Sequence, residues 1–492
     1  MIKLWLVLIL LSAVSYVIVQ RSVSSITKTP VWLCWLVMMF PALLWTVWSQ
    51  IYGESEPIPV LLLLIPLLVC PLIYGWLVQI GKPIETKSKS QPANNADSHQ
   101  DTVKLIAKSL KPINSEEETS LRSCFPWNIY YLQNIDYRPQ AILCRGKLKA
   151  IPEEAYHRVK TNVEKEFGDR FFLILQEGLK GQPFFALVPN PQAQGSKKDL
   201  NEPVTQNILA FLFLAMTLFT TTVAGIEIAG FTLEQLNSEP DILTRGLLYS
   251  VPLIAILTVH ELGHFFTSNI YKLRCTLPYL IPFPLFLGTL GAFVQRRSPS
   301  PHRRALFDIA ITGPVAGFLI TLPILFWGLT QSQTVPLETS NLFDFKVFDP
   351  RVSFFLAMIA KFALGGKLGS DLAINLHPIA IAGYVGLMFT AFNLIPVGQL
   401  DGGNIAHAVF GQRTALIIGQ VARILTTVLA WINPSFWFLA IFLWLMPLID
   451  QPALNDITEL DSYRDLAGLL SLGLLIFILL PLPGTVANWL NF

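Results

Sequence analysis

Long apolar runs alternate with polar stretches along this chain, and they set its predicted architecture. Near the N-terminus three apolar runs cover residues 4–20, 31–52 and 58–81. Each is long enough to cross the hydrocarbon core of a bilayer, about 30 Å thick, as a helix. The first run has a single lysine before it and lacks a small-residue cleavage site after it, so we expect a retained span and not a signal peptide. Residues 1–82 are therefore predicted to form N-terminal transmembrane helices.

A polar region follows these spans. Residues 83–100 contain proline and no aromatic residue, which is typical of a flexible linker. Residues 101–192 have the pattern of a small folded α+β domain with a modest core. The stretches QAILCRGKLKA, RFFLILQEG and QPFFALVP predict strands, and EEAYHRVKTNVEKEF predicts an amphipathic helix.

Apolar runs dominate the chain again from Val204 onward. Residues 352–364 are apolar but short and carry Lys361, so we expect an interfacial or re-entrant piece there. The predicted fold class is an all-α polytopic membrane protein with about ten transmembrane helices, together with the small α+β domain. The predicted spans of this second half are residues 205–230, 246–267, 306–330, 377–397, 414–431, 434–449 and 464–483.

Charge predicts the orientation of these spans. The loop 268–305 contains six basic residues, which places it on the cytoplasmic side. The loop around Glu234 and Asp241 has no Lys or Arg before Arg245, so we expect it on the outer side. The α+β domain, which precedes the span 205–230, is then cytoplasmic.

Composition narrows the class of protein further. The chain has 492 residues, of which 52% are hydrophobic and only 14% charged, a balance typical of membrane proteins. The net charge of +2 argues against a nucleic-acid partner. Five scattered cysteines without a CxxC pair predict neither a disulfide framework nor a cysteine metal site.

The most informative motif lies inside an apolar run, in LTVHELGHFF at residues 257–266. His260 and His264 are four residues apart, so they share one helical face and can bind one Zn²⁺. Glu261 is placed to take a proton from water that the metal makes acidic. The alternative is a pair of buried histidines satisfied by hydrogen bonds, which is less compatible with the cost of ionisable side chains in a bilayer.

Two histidines leave zinc one protein ligand short of a catalytic site. Asp401, in NLIPVGQLDGG, ends a span that runs inward to the depth of His260, and the glycines and proline around it break the helix. An Asp-Gly turn at a membrane boundary is the alternative. His407 lies on the same side but follows a loop, and we expect it at the surface. His99, His157 and His302 are expected to be solvated, and His377 is expected to lie on the far side.

These motifs resemble the site-2 protease family of intramembrane zinc metalloproteases, and the resemblance covers residues 204–450. GPVAG at 313–317 is similar to the glycine-rich core helix of the family, although a small-residue packing face would have the same pattern. LGTLGAF at 287–293 is similar to its membrane re-entrant β-hairpin, which suggests Gly288 and Gly291 as substrate-binding positions. The resemblance extends more weakly into residues 141–190, where RGKLKA and EFGDRFFLIL are similar to the soluble region of the cyanobacterial and plastid branch. The chain departs from that branch at 146–149, where it has Gly-Lys-Leu-Lys in place of Gly-Asn-Leu-Arg.

The resemblance implies a ligand set and a reaction. One Zn²⁺ per chain would be held by His260, His264 and Asp401, with Glu261 as the base. The family also implies that Asn393 positions the substrate or the oxyanion, although its amide could equally brace neighbouring helices. The implied reaction is hydrolysis of peptide bonds within or near transmembrane segments. A catalytically inactive zinc-binding chaperone or scaffold is the main alternative, and a transporter is a weaker one.

The family often releases membrane-tethered regulators, so the resemblance implies an anti-sigma factor or a tethered transcription factor as substrate. It also implies a multi-pass protein of a cyanobacterial-type plasma or thylakoid membrane, with its site towards the cytoplasm. Residues 451–492 are expected to add a C-terminal transmembrane segment.

Overall fold

The computed structural model describes most of the chain from Ile113 onward and part of the chain before it. The described residues are 30–52, 113–138, 141–178, 181–190, 202–231, 241–283, 287–337, 345–369, 372–432, 436–448 and 452–489, together with residue 235 and single positions within 12–20 and 66–77. The chain divides into two compact units, Met1–His99 and Gln100–Phe492.

The first unit contains one well-described helix, α1, which spans Val31–Tyr52. Its 22 residues are apolar enough to cross a membrane, as the pattern predicted. Most residues of the predicted spans 4–20 and 58–81 lie outside the described residues, and the predicted linker 83–100 lies wholly outside them.

The second unit begins with a module of two helices and a four-stranded antiparallel sheet. Its elements are α2 (Ser115–Ser123), β1 (Tyr130–Arg138), β2 (Ala141–Leu148), α3 (Pro152–Phe167), β3 (Phe171–Glu177) and β4 (Pro183–Pro189). The strand order is β1-β2-β4-β3, so β1 and β3 form the edges. Val159 and Val163 on α3 pack onto Leu173, Leu175 and Phe185 of the sheet.

The sequence pattern located four of these six elements, and it missed α2 and β1. Strand β1 escaped detection because only two of its nine residues, Tyr130 and Ile135, are buried. Such a strand lacks the alternation of apolar and polar residues on which the prediction depends. Helix α2 is short and polar, and a capping box between Asn114 and Glu117 begins it.

The remainder of the second unit is mostly helical, with two small two-stranded sheets. The helices are α4 (Glu202–Ile228), α5 (Ile242–Ile270), α6 (Arg303–Thr330), α7 (Phe354–Leu364), α8 (Pro378–Leu394), α9 (Asp401–Phe410), α10 (Gln412–Ile432), α11 (Trp437–Leu445), α12 (Ser462–Leu479) and α13 (Gly484–Trp489). One sheet is a hairpin of β5 (Tyr279–Pro282) and β6 (Thr289–Phe293), and the other pairs β7 (Gln333–Pro336) with β8 (Leu372–Asn375), which lie on either side of α7 in the sequence.

Six helices in the described residues are long and apolar enough to cross a membrane, namely α1, α4, α5, α6, α10 and α12. Helix α8 has 17 residues and is apolar but shorter. The predicted run 434–449 forms only the nine-residue helix α11. This helix stops at Leu445 because Met446 precedes Pro447 and adopts an extended backbone. The molecule is therefore mostly helical and of the membrane type, with small sheets.

Helices α5, α6 and α8 form the centre of this helical region. Most residues of α8 are buried, and the helix packs against α5 and α6. Its backbone approaches α6 closely at Gly383, where an added Cβ would lie 2.7 Å from the Cα of Leu325. A larger residue at this position would push the two helices apart. The close packing of these three helices fixes the relative positions of the polar groups that they carry.

Candidate metal centre

Helix α5 carries both motif histidines on one face. The Nε2 atoms of His260 and His264 lie 3.3 Å apart because the residues are separated by about one helical turn. His260 is 5% exposed, although the imidazole is a polar group. The side chain of His264 is 12% exposed. Two buried nitrogen atoms therefore point to a common position.

Asp401 completes a triangle with these nitrogen atoms. Its Oδ2 lies 3.3 Å from Nε2 of His260 and 3.2 Å from Nε2 of His264. Asp401 is the first residue of α9, and the chain reaches it through an irregular segment after Leu394. Gly402 permits this approach, because an added Cβ there would collide with the Leu394 carbonyl. A carboxylate 137 positions after His264 in the sequence thus reaches the histidine pair.

The three side chains fit a tetrahedral zinc ion. Zinc lies about 2.0–2.1 Å from histidine nitrogen and carboxylate oxygen atoms, so two tetrahedral ligands are separated by about 3.3 Å. The three distances between these atoms are 3.2, 3.3 and 3.3 Å. Two imidazoles and one carboxylate also form the donor set of many catalytic zinc sites. The residues present are thus compatible with one zinc ion and one remaining open position.

The hydrogen bond of His264 on its far side supports the same interpretation. Its Nδ1 lies 2.7 Å from the carbonyl oxygen of Ile309 on α6. A carbonyl only accepts hydrogen bonds, so Nδ1 donates, and Nε2 of the neutral ring carries a lone pair that faces the centre. Lone pairs on His264 and a carboxylate oxygen of Asp401 then face each other in a buried space, an arrangement that a cation stabilises.

Two glycines of α6 make room for the imidazole rings. A Cβ built on Gly313 would lie 2.6 Å from Cδ2 of His264 and closer still to Nε2. A Cβ on Gly317 would lie 2.9 Å from Nδ1 of His260. The GPVAG stretch is thus a close packing face, as one interpretation of its sequence suggested, and the groups packed against it are the two motif histidines.

Polar contacts tie the ends of three helices together next to this centre. Arg464 on α12 donates to both carboxylate oxygens of Asp308, at 2.7 and 2.8 Å. Tyr271, just after α5, donates to the same carboxylate at 2.5 Å. Burial and this bond to Asp308 raise the pKa of Tyr271 to about 12. Because Asp308 immediately precedes Ile309, the network fixes the part of α6 that orients His264.

Glu261 lies beside the triangle and is 5% exposed. Ligand atoms of Glu261 and the two histidines all lie within 4.8 Å of one another. Val294, at the end of the β5–β6 hairpin, lies at the same cavity as Glu261. Asp401 is nearer to both nitrogen atoms and fits a ligand position, which leaves Glu261 free to act on a neighbouring water.

A cavity of about 340 Å³ opens onto the three ligand candidates and Glu261. Residues Leu290–Val294 of the hairpin form one wall, so Gly291 lies at the cavity. Gly288 packs against α4 and is not among the residues that line the cavity. A Cβ built on Gly288 would lie only 2.4 Å from the Cα of Thr221, and the Thr220 hydroxyl donates a hydrogen bond to the Gly288 carbonyl at 2.7 Å. Asn393 is on the cavity wall, with its Nδ2 3.3 Å from Nε2 of His260.

The remaining described histidines lie away from the triangle. His157 is exposed, as expected. His302 and His377 are partly buried and accept backbone hydrogen bonds at the starts of α6 and α8. The prediction for His407 was wrong, because this residue is 3% exposed and its Nε2 lies 2.9 Å from Oδ1 of Asp456. Its partner is distant in sequence, so local pattern could not reveal the burial.

The fold and this centre define a helical protein of the membrane type with a candidate site for one metal ion. Residues 248–432 match the model of peptidase family M50. Among similar proteins of Arabidopsis thaliana, probable zinc metalloprotease EGY2, chloroplastic, is 27% identical, with 73% of this chain and 63% of the relative covered. Probable zinc metalloprotease EGY1, chloroplastic, is also 27% identical, over 71% of this chain and 67% of the relative.

A relative from Oryza sativa subsp. indica, probable zinc metalloprotease EGY3, chloroplastic, is 25% identical over 74% of this chain and 64% of its own length. The chain thus spans slightly less than two thirds of the first of these relatives, at 63%. No solved structure matches the chain. The matched region contains His260, Glu261, His264 and Asp401, so the part of the chain that is similar to peptidase family M50 includes the whole candidate metal centre.

Proposed function

We propose that this protein is an intramembrane zinc metalloprotease that hydrolyses peptide bonds within or near transmembrane segments of other proteins. The observation that carries the proposal is the triangle of His260, His264 and Asp401, with edges of 3.2–3.3 Å, beside the buried Glu261. The names of the relatives and the family match agree with a zinc metalloprotease.

The proposed chemistry assigns a separate task to each group. His260, His264 and Asp401 would hold one zinc ion per chain, and when bound this ion would supply Lewis acidity to the scissile carbonyl and to the attacking water. Glu261 takes a proton from that water and later delivers it to the leaving amine. The Asn393 amide, at the cavity wall, is placed to donate a hydrogen bond to the substrate carbonyl as negative charge develops on it.

The substrate has to present an extended segment, because an intact helix keeps its carbonyls in internal hydrogen bonds. Strand β6 is paired with β5 in a two-stranded sheet, and its residues form the cavity wall. If an extended substrate segment paired with the edge of β6 that faces away from β5, its peptide bonds would lie next to Glu261. Leu290 and Phe293 of this strand are 52% and 46% exposed, so they offer apolar contacts to such a segment.

The proposed organisation follows the order of the chain. Transmembrane helices in 1–82 and the linker 83–100 precede a cytoplasmic α+β domain in 101–192, the catalytic core in 204–450 and a C-terminal transmembrane segment in 451–492. About ten spans and a re-entrant β5–β6 hairpin complete this arrangement.

The basic loop 268–305 supports a site near the cytoplasmic face. The proposed location is a bacterial, cyanobacterial-type plasma or thylakoid membrane. Membrane-tethered regulators, such as anti-sigma factors or tethered transcription factors, are the proposed substrates.

The test uses the full-length protein in proteoliposomes together with a single-span model substrate. We expect about one zinc ion per chain by elemental analysis and cleavage that a zinc chelator abolishes. Replacement of Asp401 by alanine should remove both properties, whereas undiminished zinc binding would exclude Asp401 from the ligand set. Zinc binding by the unaltered protein without any cleavage would overturn the protease proposal and favour a zinc-binding scaffold.

A further inference from the structure

An extended segment after α11, residues 453–456, lies between the α+β module and the helical core. On the module side, the Leu175 N–H donates to the Leu454 carbonyl at 2.7 Å, and the Asp456 N–H donates to the Leu175 carbonyl at 3.0 Å. Leu175 belongs to β3, an edge strand of the module sheet, and Asn455 bridges to it in parallel. The segment thus pairs with this edge of the sheet through one parallel bridge.

The other edge of the segment pairs with the core. The Leu454 N–H donates to the Ser300 carbonyl at 2.8 Å, and the Asn455 N–H donates to the Pro301 carbonyl at 3.0 Å. Ala453 is fully buried and Asn455 is 3% exposed. Hydrogen bonds on both edges fix the backbone of this segment between the module and the start of α6.

The side chain of Asp456 leaves this fixed backbone and meets α9. Its carboxylate accepts a hydrogen bond from Nε2 of His407, with distances of 2.9 Å to Oδ1 and 3.2 Å to Oδ2. The two side chains are 7% and 4% exposed. A polar contact that is so deeply buried holds its partners firmly, because loss of one partner leaves the other without a hydrogen bond.

Helix α9 links this contact to the candidate metal centre. It has only ten residues and begins with Asp401, so His407 lies about 9 Å further along the same rigid helix. Arg303 holds the other end of α9 through hydrogen bonds to the carbonyls of Ala408, at 2.5 and 2.9 Å, and Val409, at 3.2 Å. The position of the Asp401 carboxylate therefore depends on contacts made in the second half of α9.

We propose that His407 and Asp456 are positioning residues for the Asp401 carboxylate, and that the α+β module acts on the centre by fixing Asp456. The inference rests on the proposed zinc site and adds a task for the module. His407 and Asp456 touch neither substrate nor zinc. They act by holding α9 at the angle that places Asp401 Oδ2 opposite the two histidines.

The test measures zinc affinity and the visible absorption spectrum of the Co²⁺-substituted protein for H407A, D456A and H407Q. Partners that orient a metal ligand typically contribute 10- to 100-fold in affinity, so H407A and D456A should weaken zinc binding by about tenfold and alter the Co²⁺ spectrum. In H407Q the amide nitrogen can still donate a hydrogen bond to Asp456, so this variant should bind zinc more tightly than H407A and nearly as tightly as the unaltered protein. L454A, which removes a side chain packed on the module core, should have a smaller effect in the same direction.

The matched control is T222V, which removes a buried hydrogen bond of 3.0 Å between Thr222 on α4 and Ser250 on α5. It should lower thermal stability without changing zinc affinity or the Co²⁺ spectrum. If H407A and D456A lose stability like T222V and keep wild-type zinc affinity, the inference is overturned. If L454A binds zinc with wild-type affinity while H407A and D456A do not, the module has no part in positioning Asp401. Absence of zinc from the unaltered protein would instead overturn the proposed function.

Discussion

Replacing Gly313 by alanine tests whether α6 shapes the metal centre. A Cβ at this position would lie 2.6 Å from Cδ2 of His264, whereas ordinary contacts of this kind begin near 3.4 Å. The ring would have to move by about 0.8 Å or more, while zinc–ligand distances tolerate only about 0.2 Å. Because the Ile309 carbonyl holds the other side of the ring, small adjustments cannot relieve the collision. We expect G313A to lose His264 as a ligand.

The size of the effect follows from the energy of a zinc site. Binding to a four-ligand structural site contributes roughly 10–16 kcal/mol, or about 3 kcal/mol for each ligand. Loss of one ligand therefore corresponds to roughly 100-fold weaker binding, since each 1.4 kcal/mol is a factor of ten. Competition with a chromophoric chelator on detergent-solubilised protein measures this change directly.

A graded series of glycine substitutions provides the control. In G317A the added Cβ lies 2.9 Å from Nδ1 of His260, so we expect a smaller loss of affinity than in G313A. Gly473 lies inside α12 and has nothing within 4 Å of the built Cβ, so G473A should bind zinc normally. Equal affinity in all three variants would refute the idea that these glycines accommodate the imidazoles.

Three further outcomes are expected. G291A forces a side chain onto a backbone with φ of +114° at the cavity wall, so kcat/KM for a model substrate should fall while zinc content is retained; G365A, with φ of +57° and open space around it, should cleave normally. R464M removes the bidentate contact with Asp308 and should lower the free energy of unfolding by about 1–3 kcal/mol. The control R122M removes an exposed ion pair with Glu118 on α2 and should lower it by only about 0.3–0.5 kcal/mol. Chelation of zinc should lower the midpoint of thermal unfolding, because zinc at 100 times its Kd stabilises the folded state by about 2.7 kcal/mol; an unchanged midpoint would argue against a bound ion.

Features that depend on local periodicity were predictable from the sequence. The helix that carries His260 and His264 follows from four-residue spacing within an apolar run, and the structure places both nitrogen atoms together as that spacing requires. Asp401 could be predicted as a ligand for a different reason. The orientation deduced from loop charges implied that the break in the helix before Asp401 lies at the same depth in the membrane as His260. The structure places its carboxylate within 3.3 Å of both histidines.

Features that depend on distant partners were not predictable. The burial of His407 results from Asp456, 49 positions later, and from a segment that pairs with both the module and the core. The pattern of GPVAG indicated close packing, but it could not show that Gly313 and Gly317 face the imidazoles. In each case the contact is set by tertiary packing, which a single sequence does not display.

The most direct test of the central claim is a comparison of Glu261→Gln with the unaltered protein. The substitution keeps the size of the side chain and its place beside the histidines, but it removes the group that takes the proton. We predict that this variant retains about one zinc ion per chain and loses cleavage of a single-span substrate in proteoliposomes. A variant that keeps its zinc and still cleaves at the wild-type rate would contradict the account.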